Sequence, residues 1–147
     1  MQVKVIKFGG SSLADAEHFR KVAEIIHEDP ARRYVVPSAP GKRTKDDTKV
    51  TDMLYACFEK AMRGEEFDAD FDRIIERYEA IIKDLGLSLD LTKEYDRIKG
   101  AFMHQPGRDY AASRGEYLNG IILANYLGFD FIDAATVIYF QDNGTFD

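Results

Sequence analysis

Lys7 stands near the carboxyl end of residues 3–8, which read as a short buried strand, and Gly9, Gly10, Ser11 and Ser12 follow Phe8 directly. This order of residue types suits an anion. A strand that ends in paired glycines and opens on a helix presents backbone N–H groups with no partner of their own, and glycine lets that backbone approach a ligand closely. Lys7 adds a mobile positive charge at the carboxyl end of the strand, the edge at which open α/β sheets hold their ligands. The spacing is not that of a Walker A loop. Gly41-Lys42-Arg43 lacks the Ser or Thr that would follow the lysine, and no G-x-G-x-x-G occurs.

Three more polar residues stand where they can act on a ligand. Ser38 leaves the second expected strand on the same sheet edge as Gly9 and Gly10, in a loop rich in proline, glycine and charge. Most of that loop, from Gly41 to Lys49, reads as a solvated connector. Thr51 lies in the first turn of the next helix, where a local cap is the bland alternative. Glu116 follows Gly115 within a long helix otherwise filled by Leu118, Ile121, Ile122 and Leu127. A carboxylate beside a buried face needs a positive partner. Arg114, a lysine elsewhere or the ammonium of an amino acid would serve. Gly115 itself costs a helix about 0.5–1 kcal/mol against alanine, so a neighbouring helix or a ligand is expected to come close there. His18, His27 and His104 have no metal-ligand spacing, and no Ser-His-Asp or Cys-His arrangement is visible. Cys57 falls on an apolar stripe and reads as a packed thiol rather than a nucleophile.

The elements that would position these residues follow from periodicity and punctuation. Asp15 is a helix cap, and Ala16, Phe19, Val22, Ala23 and Ile26 recur at helical spacing until Asp29-Pro30 stops the helix. Residues 33–37 form a second strand, so a βαβ unit with a parallel sheet is expected. Val50, Met53, Leu54, Cys57, Phe58 and Ala61 mark a helix closed by Arg63-Gly64. A second helix carries Phe71, Ile74, Ile75, Tyr78, Ile82 and Leu85 and ends at Gly86, and a shorter third carries Leu91, Tyr95, Ile98 and Phe102. These three helices interrupt the βαβ rhythm as an insertion. A further helix runs from Asp109 to Leu127 with Gly128 as a left-handed cap. Residues 129–132 and 137–140 are expected as third and fourth strands.

The 147 residues suffice for one domain with a core, and 45% hydrophobic with 31% charged residues is ordinary for a soluble protein. The net charge of −6 argues against wholesale nucleic-acid binding. A single cysteine excludes an internal disulfide. No apolar run reaches membrane-spanning length, and no signal pattern opens the chain, so no membrane partner and a cytoplasmic location are expected.

Lys7-Phe8-Gly9-Gly10-Ser11-Ser12, Val35-Val36-Pro37-Ser38-Ala39, Val50-Thr51-Asp52-Met53-Leu54 and Ser113-Arg114-Gly115-Glu116, in this order and spacing, closely resemble the aspartate kinases of the amino-acid kinase superfamily. Phe131-Ile132-Asp133-Ala134 fits as well. The resemblance covers essentially the whole chain but only the first half of the family's catalytic domain. It implies an α/β fold, a three-layer α/β/α sandwich with a mostly parallel sheet, here an incomplete N-terminal half with a helical insertion. It implies transfer of the ATP γ-phosphoryl group to the β-carboxylate of L-aspartate, the opening step toward lysine, threonine and methionine, with ATP and Mg2+ as cofactors.

By the same resemblance Lys7 contacts the transferred group, Phe8, Gly9, Gly10 and Ser11 form the nucleotide side, Ser38 and Thr51 lie at the aspartate, and Glu116 takes its ammonium. Lys7 and Glu116 are then expected to face one cavity. The family's second half, with the base site and an arginine for the substrate carboxylate, and its ACT regulatory domains have no counterpart here. The chain is therefore expected to be inactive alone and to self-associate through an unpaired sheet edge. The competing readings are a kinase of the same fold for glutamate, N-acetylglutamate, carbamate or a nucleotide, and a non-catalytic amino-acid-binding module.

Overall fold

The computed structural model describes residues 2–147. Strand β1 (Lys4–Phe8) runs parallel to β2 (Arg32–Pro37), with Lys7 opposite Val36 and Phe8 opposite Pro37. Helix α1 (Ala16–His27) connects them and buries Ala16, Phe19, Val22, Ala23 and Ile26, the stripe that its spacing sets out. Asp15 caps it by accepting from the His18 amide at 3.0 Å. Between β1 and α1 the chain makes one turn of 3-10 helix, Gly10–Leu13.

Helices α2 (Val50–Met62), α3 (Asp68–Asp84) and α4 (Thr92–Met103) follow without a strand, and α5 (Arg108–Leu127) returns to pack on α2 and on β2. Gly86 and Gly128 take left-handed φ values of 69° and 70° just past α3 and α5, where a side chain would be strained. The ring of Phe102 is the centre of the inserted helices. It meets Phe58 of α2, Phe67 and Phe71 of α3 and its cap, and Tyr110 of α5, at centroid distances of 5.9–6.4 Å.

The third and fourth strands do not form. Residues 129–140 are irregular apart from a short 3-10 turn, Ala134–Thr136, and an isolated bridge joins Phe140 to Phe146. A strand needs a neighbour for its ladder hydrogen bonds, and among the described residues the sheet has only β1 and β2. The apolar side chains of this segment are correspondingly uncovered, with Ile132, Val137, Tyr139 and Phe140 all exposed. Phe131 is the partial exception, packing edge-on against Tyr117.

Candidate active site

The Gly9-Gly10 turn and the loop after β2 are in direct backbone contact. Gly41 donates its N–H to the Gly10 carbonyl at 2.8 Å. A Cβ at Gly41 would lie 2.7 Å from the Gly10 carbonyl carbon, and one at Gly10 would lie 2.8 Å from the Ala39 carbonyl oxygen. Only glycine at both positions allows this approach. Gly9 is different: a Cβ there would meet nothing within 4 Å, so its side of the turn is open.

The expected solvated connector holds for most of Gly41 to Lys49, though not for Gly41 itself. Ala39, Pro40 and Gly41 are buried, and Lys42–Asp46 are exposed. Burial of the first three follows from the glycine contact and from a Val50 amide that donates to the Pro40 carbonyl at 3.1 Å.

Ser38 sits at the start of this loop with its backbone held from both sides. Its N–H donates to the Phe8 carbonyl at 3.0 Å, and its carbonyl accepts from Asn119 Nδ2 at 2.7 Å. Its hydroxyl has no protein partner among the described residues. Thr51 is half-buried in the first turn of α2, and its hydroxyl likewise makes no hydrogen bond, so it does not act as a cap. Phe8 packs into the core, which leaves only its backbone near the turn. Lys7 and Ser11 are exposed, and Lys7 enters no ion pair among the described residues.

Glu116 lies on the outward face of α5. It is exposed, because it points away from the face that carries Gly115, Leu118 and Asn119. It does not pair with Arg114. That guanidinium stacks between the rings of Tyr110 and Tyr117, at 4.7 and 4.5 Å, and its Nε donates to Ser113 Oγ at 3.1 Å. Glu116 also lines a cavity of about 610 Å³, with Pro37, Ser113, Tyr117 and Phe131, that does not include Lys7. The lining stops at β2, one strand short of Lys7: Val5 and Lys7, exposed on a β1 that is largely uncovered rather than the buried strand expected, stand beside Tyr34 and Val36, which do line it. Gly115, as its cost required, has close neighbours. They are protein rather than ligand: a Cβ there would lie 2.8 Å from Ala39 Cβ and 3.1 Å from Leu54 Cδ1.

Two functional-looking residues escaped the sequence reading. Asn119, fully buried, holds Ser38 through Nδ2 while its Oδ1 has no partner among the described residues. Arg77, 4% exposed, reaches from α3 to the loop. It lies 3.4 Å from Asp47. Hydrogen bonds from the Arg43 side chain, above all, hold the Asp47 carboxyl well below the usual carboxylate range, and the nearby Arg77 charge acts in the same sense. Cys57 is buried as expected, and burial pushes its thiol up to about 12, far from thiolate chemistry.

The sequence matches the model of the Amino acid kinase family over residues 2–144. It is 44% identical to Aspartokinase 3 of Bacillus subtilis over 92 residues, 63% of this chain and 20% of that protein. It is 30% identical to the aspartokinase of Chlamydia trachomatis over 130 residues, 83% of this chain and 27% of that one. The structure of Clostridium acetobutylicum aspartate kinase superimposes on the whole chain with a TM-score of 0.96 at 49% identity, and 34% of that chain is covered. Escherichia coli aspartokinase III, solved with aspartate and ADP, has the same fold at a TM-score of 0.78 and 24% identity, over 99% of this chain and 35% of that one. The chain thus spans between a fifth and about a third of the length of these relatives. Its glycine turn, parallel strand pair and inserted helices are those of an incomplete α/β kinase fold, and the chain belongs to the amino acid kinase family.

Proposed function

We propose that this chain carries the phosphate turn and the acceptor loop of an aspartate kinase, which transfers the γ-phosphoryl group of ATP to the β-carboxylate of L-aspartate and gives 4-phospho-L-aspartate. The observation that carries the reading is the contact of Gly10 with Gly41, which seats the Ser38 loop directly on the glycine turn. The likeness to aspartate kinases of Bacillus and Clostridium supports aspartate over other acceptors.

The acceptor is already a carboxylate at neutral pH, so no general base is required. The barrier lies in bringing two anions together and stabilising charge on the phosphoryl oxygens, which is work for positioning and electrostatics. In this reading Lys7 and the backbone of Phe8, Gly9, Gly10 and Ser11 face the nucleotide phosphates. The hydroxyls of Ser38 and Thr51, unengaged within the protein, donate to aspartate, and Glu116 accepts from its α-ammonium. Among the described residues no group of three or more His, Cys, Asp or Glu side chains is gathered. The chain's own residues therefore offer no all-protein cage for magnesium.

Titration calorimetry with L-aspartate and with succinate, which lacks the amino group, tests the acceptor side. Wild type is expected to prefer aspartate, and Glu116→Gln to weaken aspartate binding roughly tenfold, the value of one charge-assisted hydrogen bond at an exposed site. Absence of aspartate binding, or equal binding by the variant, defeats the reading, and preference for another amino acid moves it to a different acceptor. Spanning about a third of its Clostridium relative, the chain is proposed to bind without turning over by itself. ATP-dependent hydroxamate formation at an ordinary kinase rate would contradict that. Self-association through the open edges of the β1–β2 sheet is part of the same proposal, and a monomer by light scattering at high concentration would remove it.

A further inference from the structure

Arg77 belongs to α3, within the helical insertion, yet every group it binds lies outside that insertion or at its threshold. Nη2 donates to the Gly41 carbonyl at 2.8 Å and to the Ala14 carbonyl at 3.3 Å, and Nη1 donates to the Thr48 carbonyl at 3.0 Å. Ala14 ends the 3-10 turn that begins at Gly10. Gly41 belongs to the Ser38 loop. Thr48 immediately precedes the Lys49 cap of α2, whose first turn carries Thr51. One buried guanidinium thus holds the three segments that contain the candidate phosphate turn, Ser38 and Thr51.

Its charge is balanced locally. Asp47 lies 3.4 Å away and is fixed in turn by the Arg43 amide at 2.9 Å and by Arg43 Nε at 2.7 Å. A buried charge with donors to spare is retained at a cost unless it is paired and hydrogen-bonded. The planar fork of arginine meets several carbonyls at once, which a lysine ammonium cannot do in the same geometry.

We propose that Arg77 is a positioning residue of the candidate site: from α3 it sets the placement of the glycine turn, the Ser38 loop and the Thr51 end of α2 relative to one another. What the site binds rests on the aspartate reading above, but the coupling of the three segments does not. The inserted helices then have a second role beyond filling space, since they deliver the group that fixes the geometry.

Hydrogen exchange on the full chain separates this from a general contribution to the core. The variants are Arg77→Lys, which keeps the charge and a stem of similar length, and Arg77→Met. In Arg77→Lys the amides of Ser12, Gly41 and Val50 are expected to exchange roughly tenfold faster or more, because each closes one of the three segments. Amides in α4 and in the second half of α5 should be unchanged. Calorimetry on the same variant should find L-aspartate affinity reduced about tenfold, a loss that a purely structural arginine would not produce in a chain that remains folded.

Exchange that is unaltered at the three amides, or accelerated evenly along the chain, overturns the proposal, as does unchanged aspartate affinity in a wild type that binds. Should wild type bind no aspartate, the acceptor reading fails by itself and the exchange pattern still decides the role of Arg77. Should Arg77→Met not fold, Arg77→Lys supplies the whole test.

Discussion

Gly41→Ala is expected to destabilise the chain by about 1–3 kcal/mol or more, although alanine is the smallest side chain that could be introduced. The reason is the nature of the neighbours. The new methyl would sit 2.7 Å from the Gly10 carbonyl carbon and 2.8 Å from both its oxygen and the Ser11 nitrogen. All three are backbone atoms of a turn that cannot rotate away. The turn must separate from the loop, and the Gly41 to Gly10 hydrogen bond must lengthen or break.

Gly9→Ala provides the contrast. It stands one residue from the contact, has an extended φ of −74° that alanine adopts freely, and has open space where its Cβ would go. It should be close to neutral in stability. Thermal melts of the two variants measure the difference at roughly 2–4 °C per kcal/mol for a chain of this size. Equal midpoints would mean that the turn and the loop are not locked together. The same separation should cost Gly41→Ala the aspartate affinity proposed above.

Phe102→Ala should have the largest effect on stability, about 3–5 kcal/mol, the usual range for removing a buried phenyl ring. Phe102 is fully buried, and its four aromatic neighbours come from α2, α3 with its cap, and α5. Edge-to-face pairs add about 0.5–1.5 kcal/mol each beyond area burial, and the hole left behind is bounded by rings that cannot all move inward. Since domains commonly have only about 5–15 kcal/mol in hand, the variant should be close to unfolding at ambient temperature. Urea denaturation followed by circular dichroism gives the number. A loss below about 1 kcal/mol would show that the inserted helices do not depend on this ring. Phe102→Leu, which keeps most of the volume, should fall between wild type and alanine.

What the sequence could convey divides by range. Local signals translated faithfully. Asp15 caps α1, Gly86 and Gly128 close their helices in the left-handed region, and the stripe of α1 is buried residue for residue. The close approach at Gly115 was also legible, because a glycine in a helix interior needs a reason, and Ala39 and Leu54 supply it.

Residues 129–140 misled because their β-branched and aromatic pattern states only a preference, and a strand forms when another strand lies beside it. The exposure of Glu116 was not legible, because its apolar helix neighbours turn inward while it turns outward. Arg77 and Asn119 bind carbonyls 29–81 positions away, so nothing near them in sequence announces the contact. A trace was present all the same. Arg77 interrupts the apolar stripe of Ile74, Tyr78 and Ile81, and Asn119 lies between Leu118 and Ile122, so each is a polar residue on a face destined for the interior.

The stacking of Arg114 between two tyrosines has an electrostatic consequence. By committing its cation to the rings of Tyr110 and Tyr117, the helix leaves the carboxylate two residues on without an ion pair among the described residues. Such an exposed carboxylate attracts ammonium groups from solution and repels free dianions. Its reach is set by the Debye length, about 10 Å at 0.1 M salt and 3 Å at 1 M. Arg33 and Arg114 line the same cavity as Glu116, Asp130 and Asp133, so charges of both signs face a ligand there, and their pull fades as ionic strength rises.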